Sequence, residues 1–205
     1  MKVEILSQND REIKFAVKET SVAFANELRR IMMSEVPTMA IEWVDFKKND
    51  SALPDELMAN RIGQIPLTFD KKAYNFHETC DNCKGKGCSR CQVELVLKKK
   101  GPGMVYSEDL KSKAKDVQPV FGKIPIVELF EGGDELQFEA IAQLGTGRKH
   151  AKWQAAVVGY KYEGDSFIFN VESVCGLSPE DIVMHAADVL GEKASEFGKL
   201  LGKLK

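Results

Sequence analysis

Four of the chain's five cysteines fall between Cys80 and Cys91, in the pattern C-x2-C-x4-C-x2-C. No other feature constrains the fold as tightly. Two C-x2-C knuckles each present a pair of thiolates to one cation, and four thiolates suit tetrahedral zinc. Gly85 and Gly87 let the connector turn sharply between the pairs, and Lys84, Lys86 and Arg90 offset the charge of the tetrathiolate. The predicted ligands are Cys80, Cys83, Cys88 and Cys91, holding one structural Zn2+. Bacterial ferredoxin spacing is C-x2-C-x2-C-x3-C, which places an iron–sulfur cluster second. His77 lies close by but is read as a non-ligand, because four cysteines fill the site. A closed four-Cys site has no open position for chemistry, so its expected role is structural. The remaining Cys175 reads as a small buried hydrophobe.

Two segments flank this loop and carry helical periodicity. In the first, Thr20 or Ser21 can cap a helix in which Phe24, Leu28, Ile31 and Glu35 line a stripe and Ala25 and Met32 widen it. Pro37 stops that helix, and Met39 to Val44 follow as a strand. In the second, Ser178 is a good N-cap and Pro179 fits the first helical position. From there Val183, Ala187, Leu190, Ala194, Phe197, Leu201 and Leu204 recur at alternating steps of four and three. That is a heptad seam, which seeks a facing helix. Gly191, Gly198 and Gly202 each weaken the helix by about 1 kcal/mol relative to Ala. Close approach of a partner's backbone accounts for them.

Between and around these helices the chain alternates strands and turns. Lys2–Leu6 and Glu12–Lys18 read as a hairpin, and Lys47–Ser51 as a polar break and candidate boundary. Pro54–Gly63 reads as a short helix, Ile65–Phe69 as a strand, and Val93, Leu95 and Leu97 as one face of a strand leaving the cysteine loop. Pro119–Pro125 is an expected irregular connection. Leu136, Phe138, Ala140 and Ala142 share a further strand face, and Gly159–Tyr162 with Phe167–Val171 form a hairpin around Glu163-Gly164-Asp165. The class is α+β.

Composition excludes several functions. The chain has 205 residues, 43% hydrophobic and 29% charged, with a net charge of −2. Such a balance gives no general attraction to nucleic acid. No apolar run reaches the ~18 residues of a membrane span. The first ten residues do not read as a signal peptide, so the cytoplasm is the expected location and no membrane is expected as partner. There is no nucleophile elbow, P-loop, HExxH or GxGxxG, and no carboxylate pair of catalytic pattern. The Gly145–Trp153 loop, glycine-rich and cationic with a Trp, reads equally as a surface loop or as a contact loop.

The chain resembles the D-type subunit of archaeal DNA-directed RNA polymerase, related to the third-largest subunit of eukaryotic polymerase II and to the N-terminal domain of bacterial alpha. The resemblance rests on FANELRRIMMSEVPTMAIEWV (Phe24–Val44), LPDELMANRIGQIPL (Leu53–Leu67), GRKHAKW (Gly147–Trp153) and VESVCGLSPEDIV (Val171–Val183). It implies a discontinuous α/β dimerisation domain, a sheet plus two helices, made from residues 1–45 and 150–205. A mostly β domain, residues 46–149, is inserted and carries the metal loop 80–91. The implied function is that of a non-catalytic assembly platform for DNA-directed RNA polymerase, a nucleotidyltransferase whose active site lies in other subunits.

The same resemblance implies a heterodimer with a smaller L-type subunit, formed through Phe24, Leu28, Ile31, Met32, Val183, Ala187, Leu190, Ala194, Phe197 and Leu201. It implies further contacts to the second-largest catalytic subunit and the small N- and P-type subunits through Arg29, Arg30, Arg148, Lys149, His150, Lys152 and Trp153. Nucleic acid is met only through the complex. Many archaeal D-type subunits carry a ferredoxin-like module late in the chain. Here Cys175 is the only cysteine after Cys91, so that module is not expected. The four-Cys loop lies where the eukaryotic subunit has its zinc loop, with different spacing. A proline expected soon after Trp153 is replaced by Gln154-Ala155-Ala156.

Two other readings compete. The cysteine loop with its lysines (Lys98–Lys100, Lys111, Lys113, Lys115) also suits a stand-alone zinc-dependent nucleic-acid-binding module. The stretch CDNCKGKGC resembles one unit of the J-protein zinc domain, which would make the chain a thiol redox or chaperone-like protein.

Overall fold

The computed structural model describes residues 1–203. Leu204 and Lys205, the first of them in the predicted seam, lie outside the described residues. The chain divides into two compact units, Met1–Pro37 with Thr146–Lys205, and Thr38–Gly145.

In the first unit, β1 (Lys2–Gln8), β2 (Glu12–Lys18), β10 (Ser166–Ser173) and β9 (Ala156–Glu163) form an antiparallel sheet in the order β1-β2-β10-β9. Alternation puts Ile13, Phe15 and Val17 of β2 and Phe167, Phe169 and Val171 of β10 on a buried face. Phe15 and Phe169 stack there at 5.0 Å between centroids. Gly164 takes φ +58° in the β9–β10 turn, a left-handed conformation that glycine adopts without strain.

Two helices complete this unit. α1 (Val22–Ser34) starts where the Ser21 hydroxyl accepts from the Phe24 N–H, and packs on β9 and on α3 (Pro179–Gly202). α3 starts where Ser178 accepts from the Asp181 N–H at 3.1 Å, with Pro179 just inside, as its sequence predicts. It touches the sheet through β10 and β2.

In the second unit, β3 (Thr38–Asn49), β8 (Glu135–Gly145), β4 (Gln92–Lys100) and β6 (Lys111–Ser112) form an antiparallel sheet in the order β3-β8-β4-β6. β5 (Gly103–Tyr106) and β7 (Pro125–Leu129) form a separate pair. Val93, Leu95 and Leu97 of β4 and Leu136, Phe138, Ala140 and Ala142 of β8 are buried on one face. α2 (Asp55–Gly63) buries Met58 and Ile62 and packs on β3 and β7, with Arg61 donating to the Pro125 carbonyl at 2.8 Å.

Three local readings are corrected. Lys47–Asn49 is no break but the end of β3, because beyond a register shift at Lys47 the strand still pairs Lys48 with Gln137 and Asn49 with Leu136. The domain division therefore falls at Pro37/Thr38 and Gly145/Thr146, not at residues 45 and 150, since β3 and β8 form one ladder from Thr38↔Gly145 onward. Ile65–Phe69 makes only an isolated bridge, Leu67 to Pro119, rather than a strand. Pro66 lacks the N–H that a ladder needs.

Candidate metal centre and helix face

The cysteine loop folds by its own backbone. The Lys84 N–H donates to the Cys80 carbonyl at 2.8 Å, and the Cys91 N–H donates to the Cys88 carbonyl at 3.0 Å, closing both knuckles. Gly85 and Gly87 take φ +80° and +91°, and Lys84 itself takes φ +50°. The four cysteine sulfurs lie within 4.8 Å of one another. Cys80 Sγ is 3.7 Å from Cys88 Sγ, Cys83 Sγ is 3.6 Å from Cys91 Sγ, and Cys88 Sγ is 3.8 Å from Cys91 Sγ.

The thiols differ in environment. A hydrogen bond from the Asn82 side chain pulls Cys88 down to about 6, helped by the backbone at Arg90. Burial pushes Cys91 up to about 12. A bound cation favours the thiolate form of all four, because its charge dominates the local field. The donor set of four clustered sulfurs fits a metal ion. His77 Nδ1 lies 3.6 Å from Cys91 Sγ, beside the cluster and outside the group of four sulfurs.

The predicted helix face is split by burial. Leu28, Ile31 and Met32 are buried, the last two completely, so they belong to the core and not to a face open to a partner. Phe24 is half-buried, and Val22 is 55% exposed. On α3 the buried residues are Pro179, Ile182 and Ala186, one step around the helix from the predicted seam. Val183 and Leu190 are half-buried, while Ala187, Ala194, Phe197 and Leu201 are exposed. Phe197 leaves 64% of its surface in solvent. From Gly191 to Lys203 every residue is exposed, and a Cβ added at Gly191, Gly198 or Gly202 would meet nothing.

The cationic loop is stapled to the end of α1. Arg148 N donates to the Ser34 carbonyl at 2.8 Å, and a Cβ on Gly147 would lie 2.7 Å from the Met33 carbonyl oxygen. Trp153 is 1% exposed, with Lys152 and Lys149 over its ring at 4.4 and 5.3 Å. It is a core anchor, which removes it from the predicted subunit contacts. Arg30, Arg148, Lys149 and His150 are exposed, and Lys152 is half-buried. Arg29 is half-buried and bonds Asn26 Oδ1 at 3.4 Å. Sequence reasoning missed the role of Glu35, which meets Lys193 at 2.5 Å and Arg148 at 3.8 Å. A carboxylate on an otherwise apolar stripe was the available signal.

These features define a class: an α+β module with an open apolar helix face in one unit and a cluster of four thiols that could hold a metal ion in another. The chain belongs to the RNA polymerase Rpb3/Rpb11 dimerisation domain family, whose model matches residues 14–194. It is 48% identical over 162 residues to DNA-directed RNA polymerase subunit Rpo3 of Methanosarcina acetivorans, covering 78% of this chain and 60% of that protein. To subunit Rpo3 of Methanothermobacter thermautotrophicus it is 42% identical over 200 residues, covering 96% and 74%. To that of Pyrococcus furiosus it is 47% identical over 164 residues, covering 79% and 59%. The chain thus spans about 60% of the length of several curated relatives it matches. Among the described residues, no helix is long and apolar enough to cross a membrane.

Proposed function

We propose that this chain is a non-catalytic assembly subunit of DNA-directed RNA polymerase, equivalent to the archaeal D-type subunit. The observation that carries this is the exposed apolar row Ala187, Ala194, Phe197 and Leu201 on a helix of a dimerisation-domain family member. An isolated helix with three glycines is marginal in water, so burial against a partner is what stabilises it. The partner is a smaller L-type subunit, received by α3 together with Val22 and Phe24 of α1. The pairing unit is the discontinuous one, residues 1–37 and 146–205. The second-largest catalytic subunit and the small N- and P-type subunits dock on the assembled pair, with Arg30, Arg148, Lys149 and His150 as exposed contacts. Nucleic acid is reached only through the complex, in the cytoplasm.

The metal is one structural Zn2+. Four sulfurs about 2.3 Å from a single ion form a tetrahedron with edges of about 3.8 Å, and three of the sulfur pairs lie 3.6 to 3.8 Å apart. An iron–sulfur cluster bound through four thiolates distributes them over several irons and holds them farther apart. When bound, zinc cross-links the two knuckles. Cys80 and Cys91 supply buried ligands, and Cys83 and Cys88 supply half-exposed ones.

Native mass spectrometry of the chain co-expressed with the other polymerase subunits tests both statements. A 1:1 complex with a small homologous subunit, plus one zinc mass, is expected. A zinc-bearing monomer indifferent to every polymerase subunit would overturn the assembly reading. Salt-dependent binding of that monomer to DNA or RNA would then favour the nucleic-acid module.

A further inference from the structure

β1 alternates as a core-facing strand does, yet every one of its residues is exposed. Val3 pairs with Val17, Ile5 with Phe15 and Gln8 with Ile13. Residues directly opposite in an antiparallel pair share a face, so Val3, Ile5 and Gln8 belong to the face on which β2 buries Ile13, Phe15 and Val17. Lys2 and Glu4 belong to the other face, where Glu4 meets Lys18 at 3.3 Å. Val17 and Phe15 are 2% and 3% exposed, but Val3 and Ile5 beside them are 62% and 58% exposed. Leu6, the extra residue at a register shift, adds apolar surface at 46% exposure. The helices of this unit thus cover the sheet as far as β2 and stop short of β1.

The α3 seam turns toward this uncovered strip. The Gln8 side-chain amide donates to Glu180 Oε2 at 3.1 Å, which sets the Glu180 stripe of α3 beside β1. Glu180 stands three residues before Val183, so it shares a stripe with the four-and-three row Val183, Ala187, Leu190, Ala194, Phe197 and Leu201. Met184, one turn after Glu180, is 59% exposed. Past Glu180 that row holds no charge, and neither do Val3 and Ile5. Strand and helix make an open apolar corner, floored by Val3 and Ile5 and walled by the row on α3. A phosphate or charged side chain buried there finds no partner, which excludes nucleic acid and a charged peptide as occupants.

We infer that the small partner subunit covers β1 as well as α3, laying the apolar stripe of one of its own helices along Val3 and Ile5. Continuity selects this occupant, because a helix seated against the α3 row meets the strand at the same time. The inference rests on the assembly reading above and extends it, since β1 lies outside residues 14–194, which match the dimerisation-domain model.

Sedimentation of the full-length chain mixed with the L-type subunit of the same polymerase tests this. Val3→Thr/Ile5→Thr keeps the β-branched shape while making both side chains polar, and is expected to weaken pairing roughly tenfold. Lys2→Gln/Glu4→Gln, on the opposite face of the same strand, is expected to pair as the parent does. Because Val3 and Ile5 are exposed, the first double variant should melt as the parent does, which circular dichroism checks. Hydrogen exchange gives a readout free of substitutions: amides of Lys2–Leu6 in the parent should slow on pairing. Unchanged exchange there would overturn the inference, as would equal weakening by both double variants. Equal pairing by the parent and the Val3/Ile5 variant, with Phe197→Ala still weakened, would overturn it and leave the assembly reading standing. A parent that does not pair would overturn both. A self-associated parent that the Val3/Ile5 variant renders monomeric would identify a second copy of this chain as the occupant and overturn it too.

Discussion

Glu35 sits at the C-cap of α1, where its carboxylate is 19% exposed and meets Lys193 on α3 and Arg148 on the cationic loop. One carboxylate therefore ties three segments of the first unit. Arg148 is largely solvated and Lys193 is 43% exposed, so the tie is modest. A double-mutant cycle of Glu35→Ala with Lys193→Ala, read by thermal unfolding, should give a coupling of about 0.5–1 kcal/mol, diminishing at high salt. Gly147 acts by space instead of charge. Gly147→Ala places a methyl against the Met33 carbonyl and should cost roughly 1–3 kcal/mol, since rigid backbone cannot yield as a flexible side chain does. Trp153→Ala should cost more, about 3–5 kcal/mol, because a fully buried indole leaves a large void.

At the scale of elements, α3 is the informative one. Its first half is held by Pro179, Ile182 and Ala186, whereas every residue from Gly191 to Lys203 is exposed. Phe197→Ala and Leu201→Ala should leave the unfolding midpoint of the isolated chain unchanged within about 0.5 kcal/mol. The same variants should weaken pairing with the small partner, measured by sedimentation of the mixture. Gly198→Ala separates helix propensity from packing. Alone, the chain should gain up to about 1 kcal/mol, because nothing occupies the space around that position. If a partner's backbone approaches there, the same methyl should lower the affinity. Unchanged affinity would show that the glycines serve no close contact. The cysteine loop is the other telling element. Cys83→Ser or a strong chelator should abolish metal binding, as should acid, since protons compete for the thiolates. Hydrogen exchange should then rise in residues 75–91 while β2, β10 and α3 keep their protection.

At the scale of the whole molecule, the chain joins a sheet-and-two-helix unit built from both ends of the sequence to a second sheet unit formed from its middle. Local periodicity made most elements legible. Helix caps at Ser21 and Ser178, alternation in β2, β4 and β8, and the cysteine spacing each depend on residues a few positions apart. What exceeded that range was decided by tertiary pairing. The continuation of β3 through Lys47–Asn49 depends on β8, about ninety residues away in sequence, whose ladder outweighs a polar composition. Trp43 stands 65% exposed two residues after buried Ile41 because β3 bulges at Glu42, which no apolar pattern reveals. Leu28, Ile31 and Met32 carry the same helical signal whether they face a partner or their own core, and the first unit's packing assigns them to the core. The sequence by itself thus determined the helices, the strand faces and the thiol donor set, because those are local chemistry. Only the tertiary structure decided which apolar faces remain open, because burial is a property of what covers a residue, not of the residue.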